Sequence, residues 1–156
     1  MDHLTARDFM IKKLIKLRPK MDVFDAVRML LRNRISGAPV VDDQGHYLGV
    51  FSEKCSMHVL LDAAYEGLPT NEVEAFMDTD AQTIAPDTQL LSIAQVFLLT
   101  SYRRLPVIDE GGKLLGQVSR RDVLNAAMRA IDRQPARERS LLYLSALVPR
   151  EDAPLA

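Results

Sequence analysis

Ser119 and Asp122 stand three apart at the end of the run Gly116-Gln117-Val118-Ser119-Arg120-Arg121-Asp122. Two chemistries fit that spacing. The pair can form a capping box at a helix start, each side chain accepting a backbone N–H that the first turn leaves without a partner. Alternatively, the Asp122 carboxylate can accept both hydroxyls of a ribose, as carboxylates do in dinucleotide sites, while the helix N-terminus meets a phosphate. The two are compatible, because Ser119 can cap while phosphate takes the remaining N–H groups. Arg120 and Arg121 fall in the same first turn, where positive charge opposes the helix dipole at a cost of a few tenths of a kcal/mol each.

Other reactive constellations are missing from the sequence. Cys55 is the single cysteine, with no Cys or His at metal-ligand spacing, and His3, His46 and His58 are scattered. There is no Gly-x-x-x-x-Gly-Lys-Ser/Thr loop, no Gly-x-Ser-x-Gly elbow and no His-Glu-x-x-His pair. Neither an enzyme nor a metal site is expected. A net charge of −1 and 6% aromatic residues give no pull toward nucleic acid and no base-stacking platform. No apolar run approaches a membrane span, and Met1 leads into charged residues, so a cytoplasmic location is the expectation.

The elements that must position Ser119 and Asp122 come from an internal repeat. Shifted by 67 residues, the 156-residue chain aligns on itself without a gap. Phe9-Met10 meets Phe76-Met77, Pro19 meets Pro86, Pro39-Val40 meets Pro106-Val107, and Gly49 and Ser52 meet Gly116 and Ser119. Val23, Ala26, Val27, Leu30 and Leu31 repeat as Leu90, Ile93, Ala94, Phe97 and Leu98, each set an apolar helical face, with Asp22 as N-cap of the first. Each helix is followed by a strand starting at Pro39 or Pro106, a hairpin turn, a return strand (47–51 or 113–118) and a second helix (52–65 or 119–131). A short extended piece, 14–17 or 83–85, precedes each unit. The predicted fold is α/β (α+β): two pseudo-twofold-related repeats, each a small mixed sheet with two helices packed on it. The expected boundaries are 1–67, a linker at 68–72, 73–131, and an extension at 132–156 whose apolar Leu141–Val148 stretch needs cover.

The run TIAPDTQLLSIAQVFLLTSYRRLPVIDEGGKLLGQVSRRDVL resembles a cystathionine-β-synthase (CBS) domain, and KLRPKMDVFDAVRMLLRNRISGAPVVDDQGHYLGVFSEKCSMHVLL resembles another. Together they are similar to a tandem CBS pair, or Bateman module, over roughly four-fifths of the chain, from Thr5 to Ile131. The resemblance implies a stand-alone regulatory module that binds an adenine nucleotide (AMP, ADP or ATP) or S-adenosylmethionine in the cleft between the repeats. It also implies a flat homodimer and a separate, unidentified effector protein. For the second repeat it implies Asp122 on the ribose, Ser119 toward phosphate, Thr83 and Ile84 before Pro86, and Arg103, Arg104, Leu105 and Pro106 along the adenine pocket. Arg103 and Arg104 would then converge with Arg120 and Arg121, and a nucleoside di- or triphosphate would rationalise all four, although exposed, solvated arginine is its commonest fate. A weaker second site is expected at Lys16, Leu17, Gly37, Ala38, Pro39 and Ser52. Cys55 replaces the carboxylate there, Lys16 the threonine, Ser36 and Gly37 the arginines, and Glu53 repels phosphate. Cys55 itself reads either as a buried inert thiol or as a redox group in a first helical turn. The competing function is a structural dimerisation module without ligand.

Overall fold

The computed structural model describes residues 3–67 and 71–135. The elements in chain order are α1 (Ala6–Phe9), α2 (Val23–Asn33), β1 (Gly37–Val41), β2 (Tyr47–Ser52), α3 (Glu53–Tyr65), a 3₁₀ turn (Val73–Ala75), α4 (Leu90–Leu99), β3 (Arg104–Ile108), β4 (Leu114–Ser119) and α5 (Arg120–Asp132). The helix–strand–strand–helix order expected for each half is present. Most of the extension, with its 141–148 stretch, and part of the linker lie outside the described residues.

Local sequence accounts for the element ends. Asp22 caps α2 by accepting the Phe24 N–H at 3.4 Å. The hairpins β1–β2 and β3–β4 are antiparallel, with matching registers (Gly37 opposite Ser52, Arg104 opposite Ser119) and a bulge at the same place in each. Their turns hold Gly45 at φ 85° and Gly112 at φ 86°, the left-handed region where glycine escapes the Cβ penalty. Leu31 and Leu98 depart from the expected helical faces, standing 71% and 82% exposed while Val23, Ala26, Leu30, Leu90, Ile93 and Phe97 are buried. At about 100° per residue the i+8 position lies about 80° off the first one, at the edge of the stripe.

Pro39 and Pro106 were expected to open their strands but stand at the third of five positions. The third strand explains why this is tolerated. Leu17 and Ile84 each form a single parallel bridge, to Val40 and Val107, donating to Pro39 O and Pro106 O at 2.9 Å. That bridge ends beside the proline, so the missing N–H falls beyond the last ladder bond. Each sheet is therefore mixed, as expected.

The opposite edge of each sheet is closed by the other half. Ile11 exchanges two backbone hydrogen bonds with Gln117 of β4 (2.9 and 3.0 Å), and Asp78 exchanges two with Val50 of β2 (2.9 and 2.8 Å). Positions 11 and 78 are equivalent under the repeat. Ala6 and Phe9 accordingly join the core of Ile84, Leu90, Ile93, Phe97, Leu105, Val107, Val118, Val123 and Ala126. Val73 joins the core of Leu17, Val23, Ala26, Leu30, Ala38, Val40, Phe51, Cys55 and Val59. The hairpin tips also meet, Tyr47 donating to Gly112 O (2.9 Å) and Leu114 to Gly45 O (3.1 Å). The halves are interleaved around a pseudo-twofold axis.

The glycine that opens each Gly-x-x-Ser run permits this exchange. A Cβ on Gly49 would stand 2.7 Å from Asp78 O, and one on Gly116 2.9 Å from Ile11 O. Gly49→Ala or Gly116→Ala should therefore destabilise by about 1–3 kcal/mol, lowering Tm by several degrees in a thermal melt. A second prediction concerns the first tip. Asp42 accepts the Gln44 and His46 N–H groups (2.9 and 2.8 Å) and faces His46 Nδ1 at 3.1 Å. The His46 amide is the leading influence holding this carboxyl below its ordinary 3.8. The resulting stability is present above that value and lost as pH falls through the lower native one. Asp42→Asn should lower Tm near neutral pH, with the deficit closing in acid.

Candidate ligand-binding site

The turn from β4 into α5 is set by Ser119 and Asp122. Asp122 Oδ2 accepts the Ser119 N–H at 2.8 Å, and Ser119 Oγ accepts the Asp122 N–H at 3.2 Å. The capping box exists, and it engages one carboxylate oxygen. Among the described residues no donor reaches Asp122 Oδ1. In the first half Ser52 Oγ likewise accepts the Cys55 N–H at 3.2 Å. The Cys55 thiol turns inward, 3.3 Å from Ser52 Oγ and 3.8 Å from Val50 O, and is 6% exposed within the first core. Gly and Ser are thus the shared structural residues, and position 55/122 is where the halves diverge.

Among the described residues, three cavities open along the seam. Asp122 and Ser119 line one of about 300 Å³ together with Arg104, Gln117 and the chain at Ile11, Lys13, Leu14 and Ile15. Its far wall is Ile35, Gly37 and Pro39, from the first half. Ser52 lines a second cavity of about 670 Å³ with Gly37, Ala38, Val50 and Asp78 on one side and Tyr102, Arg103, Arg104, Pro106 and Gln117 on the other. The third, of about 930 Å³, holds Arg103, Arg104, Ser119, Arg120 and Arg121 with Leu30, Leu31, Arg34, Ile35, Ser36 and Glu53. Arg104 and its repeat equivalent Gly37 touch, Arg104 donating to Gly37 O at 3.2 Å, which places the guanidinium at the pseudo-twofold axis. Arg120 donates to Tyr102 O at 3.3 Å.

The residues expected in the two sites are therefore regrouped. Ser119, Asp122 and Arg104 share a cavity with Gly37 and Pro39. Arg103 and Pro106 line the Ser52 cavity with Ala38. The four arginines do converge. Leu105, Ile84 and Leu17 are buried in the cores, while half-buried Thr83 and exposed Lys16 line none of the three cavities. The physical reason is the interleaving: each helix start faces the proline strand of the opposite half. Ile11, Leu14, Ile15, Ile35, Arg34, Tyr102, Asp78 and Gln117 are site residues that the sequence reading does not assign, whereas Lys13 lies in the basic 11–20 segment, read there as an exposed edge or, less favoured, as reaching a phosphate. The 67-residue offset held a clue to some of them, since Ile35 stands to Tyr102, and Ile11 to Asp78, as Ser52 stands to Ser119.

Among the described residues the buried Tyr47 hydroxyl has no hydrogen-bond partner. Burial, aided by the nearby Asp78 and Tyr102, pushes its pKa up to about 12. It stays a neutral donor near the residues of the Ser52 cavity. Among the described residues no cluster of three or more His, Cys, Asp or Glu could hold a metal ion, and no helix is long and apolar enough to cross a membrane.

Two interleaved halves with paired seam cavities define a tandem CBS module, and the CBS domain family model matches residues 6–54 and 73–129. The chain belongs to the CBS domain family. It is 31% identical to the CBS domain-containing protein CBSX1, chloroplastic, of Arabidopsis thaliana, over 80% of this chain and 64% of that one. The crystal structure of CBSX2 in complex with AMP superposes with TM-score 0.70 at 31% identity, covering 81% of this chain and 97% of that one. The cytosolic domain of the Mg²⁺ channel MgtE in complex with ATP gives 0.64 at 27% identity, covering 78% and 48%. The chain spans less than two thirds of the length of the chloroplastic relatives CBSX1 and CBSX2, 64% of each. The chloroplastic relatives lend no support to the expected cytoplasmic location.

Removing the cap should cost stability apart from any ligand. Ser119→Ala should lower stability by about 1 kcal/mol, measurable by denaturant unfolding of the protein alone.

Proposed function

We propose that the chain is a regulatory module that binds an adenine nucleotide or S-adenosylmethionine in the cavity carrying Asp122, and that it carries out no catalysis of its own. One observation carries this reading. Asp122 spends a single oxygen on its helix cap and lines a cavity whose other walls include the apolar side chains of Leu14, Ile15, Ile35 and Pro39. An apolar slot suits a purine base, the unengaged Oδ1 suits a ribose diol, and Ser119 and Arg104 at the same cavity suit a phosphate. The AMP and ATP complexes of CBSX2 and MgtE support the ligand class. The Ser52 cavity lacks the carboxylate and has Glu53 in its wall, so it is the weaker site for a ribose phosphate.

Purified protein should show a ligand-dependent rise in Tm with at least one of AMP, ADP, ATP or S-adenosylmethionine. At a hundred times Kd the ligand contributes about 2.7 kcal/mol, which is several degrees at this size. Asp122→Ala also loses the cap, so its own Tm falls; the diagnostic quantity is the ligand-induced increment, which should vanish. A flat response from protein shown by mass spectrometry to carry no nucleotide would overturn the reading and leave the structural dimerisation module.

Regulation by such a module needs a neighbour, and the exposed apolar faces favour a second copy. Met57, Leu60 and Leu61 on α3, and Leu124 and Met128 on α5, are each more than half exposed. The two faces are related by the repeat, Met57 to Leu124 and Leu61 to Met128, so a second copy can meet both in a symmetric dimer. Leu61→Glu with Leu124→Glu should convert a dimer to a monomer in sedimentation equilibrium. An unchanged mass would exclude this face.

A further inference from the structure

We propose that the cavity on the pseudo-twofold axis is a polyphosphate subsite. Through it one CBS pair takes a single nucleoside di- or triphosphate and discriminates against the monophosphate and S-adenosylmethionine. The inference rests on the adenosine reading above.

Five arginines line this cavity against one carboxylate, Glu53. They come from separate segments: Arg34 ends α2, Arg103 precedes β3, Arg104 opens it, and Arg120 and Arg121 open α5. Among the described residues none of the five forms an ion pair. Arg104 and Arg120 each spend one guanidinium nitrogen on a backbone carbonyl, which leaves donors for an anion. Arg34 is also held at φ 54°, a left-handed backbone uncommon outside glycine. Like charges gathered without counter-charge repel, and a polyphosphate removes that repulsion while accepting bidentate guanidinium bonds.

The cavity adjoins the Asp122 site, with Ile35, Arg104 and Ser119 in the wall of both. At about 300 Å³ the Asp122 cavity is at the small end for a ligand pocket, room for a nucleoside but not for a phosphate chain as well. A sugar held by Asp122 directs its 5′ substituent past Ser119 and Arg104 toward Arg103, Arg120, Arg121 and Arg34. The first α-phosphate falls to the shared residues, and later phosphates to the others. S-adenosylmethionine brings a sulfonium cation instead and gains nothing from the arginines.

Single occupancy follows from the asymmetry between the halves. Under the 67-residue offset Arg103 corresponds to Ser36, Arg104 to Gly37, Arg120 to Glu53 and Arg34 to Ser101, and only Arg121 keeps a cation, Lys54, at the Ser52 cavity. A phosphate chain entering from the Ser52 side would meet Glu53 and compete for the same axial Arg104.

Isothermal titration of the full chain with AMP, ADP, ATP and S-adenosylmethionine, without divalent cations and at two salt concentrations, tests this. ATP should bind at one per chain and roughly tenfold or more tighter than AMP, about 1.4 kcal/mol, with the ratio shrinking as salt screens the charges. Arg34→Gln with Arg121→Gln should collapse the ATP/AMP ratio while AMP affinity holds, since these two residues line the axial cavity and neither side cavity. AMP binding as tightly as ATP overturns the subsite but leaves the adenosine reading standing. Two ATP per chain, or equal losses for AMP and ATP in the folded variant, also overturns it. No binding by any of the four overturns both.

Discussion

The paired backbone bonds that exchange edge segments between the halves, Ile11 with Gln117 and Asp78 with Val50, are the constraint on which the molecule depends. Each sheet has only two strands of its own and one bridging residue on its outer edge. Left open, the edge along β2 or β4 would be an unpaired ladder. Supplying it from the other half closes both sheets and carries Ala6, Phe9 and Val73 into cores they do not adjoin in sequence. Gly49 and Gly116 are required because the exchanged backbone passes where a Cβ would sit. Neither half buries a complete core alone, so the pair should unfold as one unit.

The same exchange makes the cavities. The strand that crosses over lays Leu14 and Ile15 beside the helix start of the other half, and the proline strand forms the opposite wall. The cavity is lined by both halves, so a ligand bound there as proposed would stabilise their relative arrangement. Asp122 joins the two roles physically. One oxygen fixes the helix start and thereby the direction of the other, which no donor among the described residues engages.

Divergence between the repeats is concentrated at the seam. The turn glycines, strand prolines and capping serines are kept in both halves, whereas positions 36, 37, 53 and 55 differ in charge from 103, 104, 120 and 122. Symmetric structure with asymmetric chemistry yields one cationic axial cavity bordered by two unequal side cavities. The thiol at 55 packs inward on Val50 and Ser52, which makes it part of the first core.

Sequence alone determined the repeat, the element order, the hairpins, the Asp22 cap and the Ser119–Asp122 box, because each arises from local periodicity, turn chemistry or short-range hydrogen bonds. It also singled out the divergent position 55/122 and the four arginines. Tertiary structure alone decided which residues share a cavity. Pro39, assigned by repeat to Ser52, faces Asp122, Gly37 borders both cavities, and Arg103 and Pro106 face Ser52. Arg34 joined the arginines only because a left-handed turn at the end of α2 puts it at the seam. These groupings depend on backbone bonds between residues about a hundred positions apart, Ile11 to Gln117. No propensity or spacing within one repeat encodes which half a strand edge will pair with.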